Sequence, residues 1–415
     1  MEASLVPISG DARRPAGSPS QQQIRVVLVH TIYQQRAGEE TVFEMEKHLL
    51  ASAGHLGGAY VRENDEISRY GFWSMASLGP RTLWAWDSYR QLRDLLRQAK
   101  PDVVHFHNTF PLVSPAAYYA CRHEDVKVVQ TLHNYRLLCP VGTFYRQGRV
   151  CEDCVHKGLW QAVRHGCYRR SHVQTAVVAA MLLLHRALRT WQSLVDRYIV
   201  PSNSALRLLT AAGLPANKLV VKPNFVYPDP GPRRPPCDHA LFIGRLSTEK
   251  GPETLLEAWN RLSVPASLRV IGEGPLRSRL EAGTNGWPRR IFFEGRLSRS
   301  QALSALKSGR FLVFPSRCYE LFPMAIVEAF ACGVPVIASR LGGPEEIVED
   351  GRTGLHFTPG DPDDLAAKVE WAWTHPEEMA EMGRAARAEY EAKYTAERNY
   401  QMLMEIYQKA LGAEG

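Results

Sequence analysis

The chain is predicted to be an α/β protein made of two doubly wound domains. Three observations carry this. Short apolar runs alternate with helix-period segments along both halves of the sequence. A proline-rich stretch, Pro223 to Pro236, separates the halves and has the composition of a linker. The second half contains a strand–loop–helix–strand unit, Phe311 to Ala338, of the kind that builds a parallel sheet. With 415 residues, 45% of them hydrophobic and 22% charged, the composition is globular and the length suits two domains of ordinary size.

Residues 1–23 are rich in Pro, Ser, Gly and Gln and are expected to be a disordered tail. No apolar segment follows a basic start there, so the tail does not have the pattern of a signal peptide. The first domain is expected at 24–222. Its strands are Ile24 to Val29, Asp102 to His107, Lys127 to Leu132, Arg197 to Val200 and Leu219 to Lys222. Its helices include Thr41 to Ala51, with Val42, Met45, Leu49 and Leu50 on one side, and Leu83 to Ala99. Pro201-Ser202-Asn203-Ser204 has the makeup of a turn and helix cap. A cysteine-rich insert occupies 139–170 and a linker 223–238. The second domain, 239–389, opens on the strand Ala240 to Ile243. A last helix, 390–415, carries Tyr400, Leu403, Met404, Ile406 and Tyr407 at helical spacing. The longest near-apolar stretch, Val173 to Leu184, is too short to span a bilayer, which needs about 20 residues.

Charge is unevenly placed. Residues 1–222 hold 27 basic and 17 acidic side chains, a balance of +10; residues 223–415 hold 23 and 26, a balance of −3. A basic first half suits an anionic partner such as a membrane surface or a lipid pyrophosphate, although a solvated basic face explains it too. No nucleic-acid-binding motif accompanies it. From Arg136 to Arg197 there are ten basic and three acidic residues, with Trp160, Tyr168 and Trp191 among them. That mixture suits a phospholipid surface or a lipid-linked acceptor. A helix packed on the first domain explains Val177 to Leu188 equally well.

The chemistry concentrates in the second half. Glu320 and Glu328 have seven residues between them. Glu320 falls in the loop after an apolar strand and Glu328 in the following helix. Ligands of parallel sheets bind at the carboxyl ends of the strands, and helix-opening N–H groups suit a phosphate. Upstream, Gly244-Arg245-Leu246-Ser247-Thr248-Glu249-Lys250-Gly251 places an Arg and a Lys five apart. Cations at a helix start oppose its dipole, so they need another reason to be there. Gly272-Glu273-Gly274-Pro275, Gly342-Gly343-Pro344-Glu345-Glu346-Ile347-Val348 and Gly351-Arg352-Thr353-Gly354 complete the set.

These motifs, in this order, resemble the signature of retaining two-domain glycosyltransferases that use nucleotide-sugar donors, glycosyltransferase family 4 in particular. The resemblance implies the GT-B fold, two Rossmann-like domains facing across a cleft, with a last helix crossing back to the first domain. It implies a diphosphate held by Gly244, Arg245 and Lys250, with the Glu273 loop beside it. Two cations there would replace a divalent ion, so no catalytic cofactor is expected. It implies that Glu320 and the backbone of Leu321, Phe322 and Pro323 face the donor sugar and that Glu328 holds the ribose. The family usually has Gly where Leu321 stands, which weakens the case for close backbone contacts. In the first half, Gly38 is what remains of a Gly-Gly pair that contacts the diphosphate. His133, ending a strand, matches a histidine that faces the sugar; a satisfied structural histidine is the alternative. His107 and Asn108 are candidates for the acceptor side. No GxGxxG follows the first strand, which argues against a nicotinamide enzyme.

Cys139, Cys151, Cys154 and Cys167 have zinc-ligand spacing, a CxxC with one cysteine on each side. A structural zinc, disulfides and reduced thiols are the three readings. By the same resemblance, the insert is expected to mark a subgroup acting on bacterial surface polysaccharides. The expected activity is hexosyl transfer from a UDP- or GDP-sugar to a glycan or a polyprenyl-diphosphate-linked glycan, by a cytoplasmic protein at the inner membrane face. A sugar-nucleotide epimerase and a non-catalytic binding module are the rivals.

Overall fold

Apolar runs become the central strands of two separate sheets. The structure is a computed structural model that describes residues 4–5, 23–34, 38–69, 72–233, 238–284, 286–287 and 291–412. The first sheet contains β1 (Ser4–Leu5), β2 (Val26–Ile32), β3 (Leu56–Glu63), β4 (Val103–Phe106) and β5 (Lys127–Thr131). A small antiparallel hairpin, β6 (Tyr145–Arg146) with β7 (Arg149–Val150), stands apart. β8 (Arg197–Val200) and β9 (Leu219–Val221) complete the first sheet, in the order β1-β3-β2-β4-β5-β8-β9. All its pairings are parallel except β1 on β3.

The second sheet is wholly parallel. It contains β10 (His239–Ile243), β11 (Ser267–Ile271), β12 (Ile291–Gly295), β13 (Gly309–Phe314), β14 (Val336–Ser339) and β15 (Gly354–Phe357). Their order is β12-β11-β10-β13-β14-β15. Strand order therefore reverses between β2 and β4 in one sheet and between β10 and β13 in the other. At such a reversal the loops leave in opposite directions and open a crevice at the carboxyl edge. Both crevices carry the polar motifs.

Three expected elements differ in the structure, and one strand was not expected. The helix expected over Leu83 to Ala99 spans Trp86–Ala99, because Ala85 is extended, and a second helix that was not expected, Phe72–Leu83, precedes it. The strand β3 has Gly57 and Gly58 as its second and third residues, and their weak strand propensity hides it in the sequence. The helix expected from Tyr390 is also two, Pro376–Lys393 and Ala396–Ala410, and the Thr395 side chain caps the second at the Arg398 N–H. The stretch expected as a linker is docked: Phe225 and Val226 are buried, and the Val226 N–H donates to the Tyr394 carbonyl at 3.1 Å. Residues 234–237 of that stretch, and most of the expected disordered tail, lie outside the described residues.

The last helix lies on the first sheet. Leu403, Ile406 and Tyr407 pack with Leu28, Val103, Val129 and Ile199. Tyr407 Oη is 2.8 Å from His105 Nδ1, and Tyr400 Oη is 2.8 Å from His55 Nε2. On the same principle of burial, the two tyrosines should respond differently to mutation. Tyr407→Ala is expected to cost about 3–5 kcal/mol of stability, as for other large core truncations. Tyr400→Phe, which removes one hydrogen bond, is expected to cost about 1 kcal/mol. Denaturant unfolding of both variants checks the ranking.

Candidate active site

The donor-side loops are stitched together by glycines and backbone hydrogen bonds. A Cβ on Gly272 would sit 1.9 Å from the Gly244 carbonyl oxygen, and one on Gly274 would sit 2.4 Å from that of Leu246. Only hydrogen fits there, so the Glu273 loop lies flat on the Gly244–Leu246 turn. Leu246 N–H donates to the Glu273 carbonyl at 2.9 Å. The Glu273 carboxylate itself pairs with Arg277. Gly251 has φ +68, and a Cβ there would meet the Pro315 carbonyl oxygen at 2.0 Å. The loops after β10 and β13 thus touch across the strand-order reversal, and the Arg317 N–H closes them on the Glu249 carbonyl at 2.8 Å.

That contact brings Lys250 to Glu320, and the two form an ion pair. Burial opposes charge on Lys250, but the adjacent Glu320 carboxylate outweighs it and raises the lysine pKa. The Ser316 hydroxyl also donates to Glu320, at 2.8 Å. Arg245 is nearly half exposed and pairs with Glu249. Glu328 lies in the helix Met324–Ala331 and pairs with Arg299 at 3.1 Å. Burial raises the Glu328 pKa, with Arg299 partly offsetting it. Arg299 also donates to the Tyr227 carbonyl at 2.7 Å. Sequence reasoning missed Arg299, which sits 29 residues from its acid with no local pattern linking them.

Leu321 is not simply a lost glycine. Its side chain is buried with the core of the first domain, while Phe322 packs edge-on against Tyr394, 5.7 Å away. Gly343 sits where a Cβ would be 2.7 Å from the Leu321 carbonyl oxygen, so the Gly342-Gly343 pair presses on this loop. Pro323 precedes the helix in an extended conformation. Gly38 begins the helix Gly38–Ser52 of the first domain, and a Cβ there would be 3.1 Å from Met324. The two domains therefore meet at the start of both helices. Glu346 crosses the same cleft and accepts the N–H groups of Asn203 and Ser204 at 2.8 and 2.7 Å.

On the first domain, His107 and His133 end β4 and β5, with His107 Nδ1 3.0 Å from His133 Nε2. Behind them His107 Nε2 lies 3.2 Å from Glu46, whose other oxygen accepts from Lys222 Nζ at 2.6 Å. Burial disfavours the Glu46 charge, yet Lys222 and His107 outweigh it and hold the carboxyl well below its usual range. Burial, then His107, lowers the His133 pKa to about 3, so this histidine is neutral at physiological pH. The sequence showed His107 and His133 but neither Glu46 nor Lys222. Asn108 donates to the Thr31 carbonyl at 2.8 Å and to Glu39 at 3.1 Å.

A cavity of about 60 Å³ lies beneath these strand ends, lined in part by His107, Asn108, His133 and Arg136. A larger open concavity, about 780 Å³, lies at the opposite edge of the second sheet among His239, Ser267 and Phe292. We place the chemistry at the carboxyl edge, because the motif residues converge there and parallel sheets bind ligands at that edge.

Comparison with known proteins follows this geometry. Residues 48–229 match the family described as Glycosyltransferase Family 4, and residues 236–389 match Glycosyl transferases group 1. The chain is a family 4-type glycosyltransferase with the GT-B fold. The sulfoquinovosyl transferase SQD2 of Arabidopsis thaliana is 27% identical over 306 residues, 70% of this chain and 54% of that protein. The D-rhamnosyltransferase WbpZ of Pseudomonas aeruginosa is 34% identical over 160 residues, 38% of this chain and 41% of that one. The matched region thus spans about half the length of these relatives or less. Anabaena Alr3699/HepE, crystallised with UDP and glucose, superposes with a TM-score of 0.67 at 17% identity, covering 93% of this chain and all of that one. Sucrose-phosphate synthase from Thermosynechococcus elongatus gives 0.68 at 17% identity, covering 94% of this chain and all of that one.

In this glycosyltransferase three cysteines of the insert, Cys139, Cys154 and Cys167, pack with the core of the first domain. Cys139 and Cys154 are buried, while Cys151 and Cys167 are half-buried. The four sulfurs are spaced more widely than Glu46, His105 and His107, whose ligand atoms lie within 4.8 Å of one another. That trio is already engaged by Lys222 and Tyr407.

Glu39 of the glycosyltransferase is a second acid that sequence reasoning passed over. Burial, with Glu40 beside it, raises its pKa to about 8 from a usual 4.5, against the pull of Arg136. The folded state therefore holds this proton more tightly than the unfolded chain. Its contribution to stability is full below about pH 4.5 and is lost as pH rises through about 8. Glu39→Gln cannot ionise and is expected to lose less stability over that window. Melting temperatures of both proteins at pH 5, 7 and 9 check this, and parallel curves would refute it.

Proposed function

We propose that this glycosyltransferase moves a hexosyl unit from a UDP- or GDP-sugar to a hydroxyl of a glycan or lipid-linked glycan, with retention and without a catalytic metal. The observation that carries the reading is the Lys250–Glu320 pair, assembled from both sides of the strand-order reversal. Alr3699/HepE, which shares the fold, is described with UDP and with UDP-glucose. In the proposed reaction the bond between sugar C1 and the phosphate oxygen breaks. The acceptor oxygen bonds C1 on the same face, and its proton passes to the departing phosphate.

The charge that develops on the leaving diphosphate needs cations fixed in advance. Arg245 and Lys250 supply them, and an ammonium with three N–H groups can hold Glu320 and a phosphate oxygen together. Gly244 and Gly38 let backbone approach the phosphates from the two domains. Glu320, with the Leu321–Pro323 backbone, faces the sugar, and Glu328 takes the ribose hydroxyls. His133 stands neutral beside the sugar, with His107 and Asn108 toward the acceptor. Cell-envelope or extracellular polysaccharide synthesis by a cytoplasmic, membrane-associated protein suits the surface. Among the described residues no helix is long and apolar enough to cross a membrane. The helix His172–Ala187 and the turn after it expose Val173, Leu183, Leu184 and Leu188, with Arg169, Arg170 and Arg189 beside them. Apolar side chains framed by arginines suit an anionic lipid surface.

Arg245→Ala or Lys250→Ala is expected to lower kcat by about 10²–10³-fold with stability little changed, by analogy with loss of an oxyanion donor. EDTA is expected to leave the rate unchanged. Near wild-type turnover in both variants, or strict Mg²⁺ dependence, would overturn the assignment. Release of nucleoside diphosphate that depends on a glycan acceptor separates transfer from epimerisation.

The two acids should also part in calorimetry. Glu328→Gln is expected to weaken binding of UDP or GDP itself, because the ribose is common to both. Glu320→Gln is expected to spare nucleotide affinity and depress transfer. Equal loss of nucleotide affinity in the two variants would show the division of roles to be wrong.

A further inference from the structure

Four polar side chains form a line from the interior of the first domain to its carboxyl edge. Lys222 follows β9, Glu46 lies in the helix Gly38–Ser52, His107 follows β4 and His133 comes shortly after β5. Lys222, Glu46 and His107 are buried, and His133 is half-buried. Lys222 Nζ donates to Glu46 Oε1 at 2.6 Å. Glu46 Oε2 lies 3.2 Å from His107 Nε2, and neither atom has a hydrogen-bond partner elsewhere. His105 Nδ1 is 3.8 Å from the same oxygen and is held instead by Tyr407 Oη at 2.8 Å. On the far side of His107, Nδ1 lies 3.0 Å from His133 Nε2, and the two rings are 16° from parallel. Among the described residues His133 Nδ1 makes no hydrogen bond.

The contacts fix where the protons sit along this line. Lys222 keeps Glu46 ionised, so Glu46 can only accept. His107 Nε2 therefore carries a proton: a lone pair there would face a carboxylate in a low-dielectric interior, two acceptors with no donor between them. Lys222 already balances Glu46, and a second proton on His107 would bury a charge with no partner. His107 Nδ1 is thus bare and accepts from His133, whose Nε2 must hold a proton. His133 is itself neutral, because burial and then the neighbouring His107 lower its pKa. A neutral imidazole has one donor and one acceptor, so the proton on Nε2 leaves a lone pair on Nδ1.

We propose that Glu46, acting through His107, is a positioning residue for the transfer: it holds His133 in the tautomer protonated at Nε2, so that Nδ1 presents an acceptor to a hydroxyl of the donor sugar. Glu46 has this role only if His133 stands beside the sugar, as in the proposed function. An acceptor set in advance needs no rearrangement when the sugar arrives, which is the preorganisation that transfer requires. Without Glu46 nothing in the line selects between the two neutral tautomers, and only one of them offers the lone pair.

Nuclear magnetic resonance reads the proton directly. In the full chain, isotope-labelled at its histidine nitrogens, nitrogen–proton correlation at neutral pH distinguishes protonated from bare ring nitrogens. The His133 signals are those lost in His133→Gln. Wild-type His133 is expected to be protonated at Nε2 alone. A proton on Nδ1, a mixture of tautomers or a doubly protonated ring would each overturn the proposal. His107→Phe removes both ring nitrogens and leaves the Lys222–Glu46 pair whole. Glu46→Leu combined with Lys222→Met removes both charges at once, an exchange that buried pairs often tolerate. In both variants His133 is expected to become a mixture of tautomers. Their kcat is expected to fall about 2–10-fold, the worth of one hydrogen bond, with affinity for UDP unchanged. Once His133→Gln is present, His107→Phe is expected to lower kcat no further, because the two act as one unit. A single tautomer kept in both variants, unchanged turnover despite a mixture, or additive losses would overturn the role. If one variant does not fold, the wild-type spectrum and the other variant decide. A wild-type chain that releases no nucleoside diphosphate with any acceptor would overturn the transfer reading, and with it the role given to Glu46, whatever tautomer the spectrum shows.

Discussion

One buried carboxylate holds the first domain to everything around it. Glu46 sits on the helix Gly38–Ser52 with its side chain fully inaccessible, and Lys222 and His107 close on it from two directions. A buried charge of this kind stands only if it is paired, and losing a partner is severe because the other charge is left stranded. The pair therefore fixes three things together. It fixes the helix, whose Val42 and Met45 pack with Met324 and Phe225. It fixes the end of β9, where the chain leaves for the second domain. Through His107 it fixes His133 at the site, while His105 beside them ties in the last helix through Tyr407.

The donor side is built on a different principle. Its charges are mostly satisfied by one another: Lys250 by Glu320, Glu328 by Arg299, Arg245 by Glu249. Glycines at 251, 272, 274 and 343 let the loops lie against each other at distances no side chain permits. The result is a set of cations and acids held in place before any ligand arrives, which is what stabilising a developing charge requires. Leu321 shows how a departure from the family pattern is absorbed. Where glycine would bring backbone close, leucine is buried against the other domain and trades approach for packing.

Much of the architecture was legible in the sequence. β8, β10 and β13 hold unbroken apolar runs, Tyr198 to Val200, Ala240 to Ile243 and Phe311 to Phe314, and such runs give the same signal wherever they sit in a fold. Less was legible where propensity and tertiary context disagree. β3 has two glycines among its first three residues and is a strand because its neighbour β2 supplies the hydrogen bonds. The break at Thr395 depends on one side chain capping one N–H, which a helical apolar pattern runs straight through. Phe225 and Val226 lie in a proline-rich stretch and are still buried, because composition reports on turns and says nothing of what a turn docks on.

The sequence by itself determined the fold class and the chemical character of the loops at the strand ends. Those follow from periodicity over two to four residues and from motifs contained in one loop and its helix. The tertiary structure alone decided which charges meet. Lys222 finds Glu46 across 176 positions, and Arg299 finds Glu328 from a separate helix. Strand order in the two sheets sets those encounters, and no local pattern encodes it. Burial then turns each encounter into a constraint, because a charge shielded from water has no other way to be stabilised.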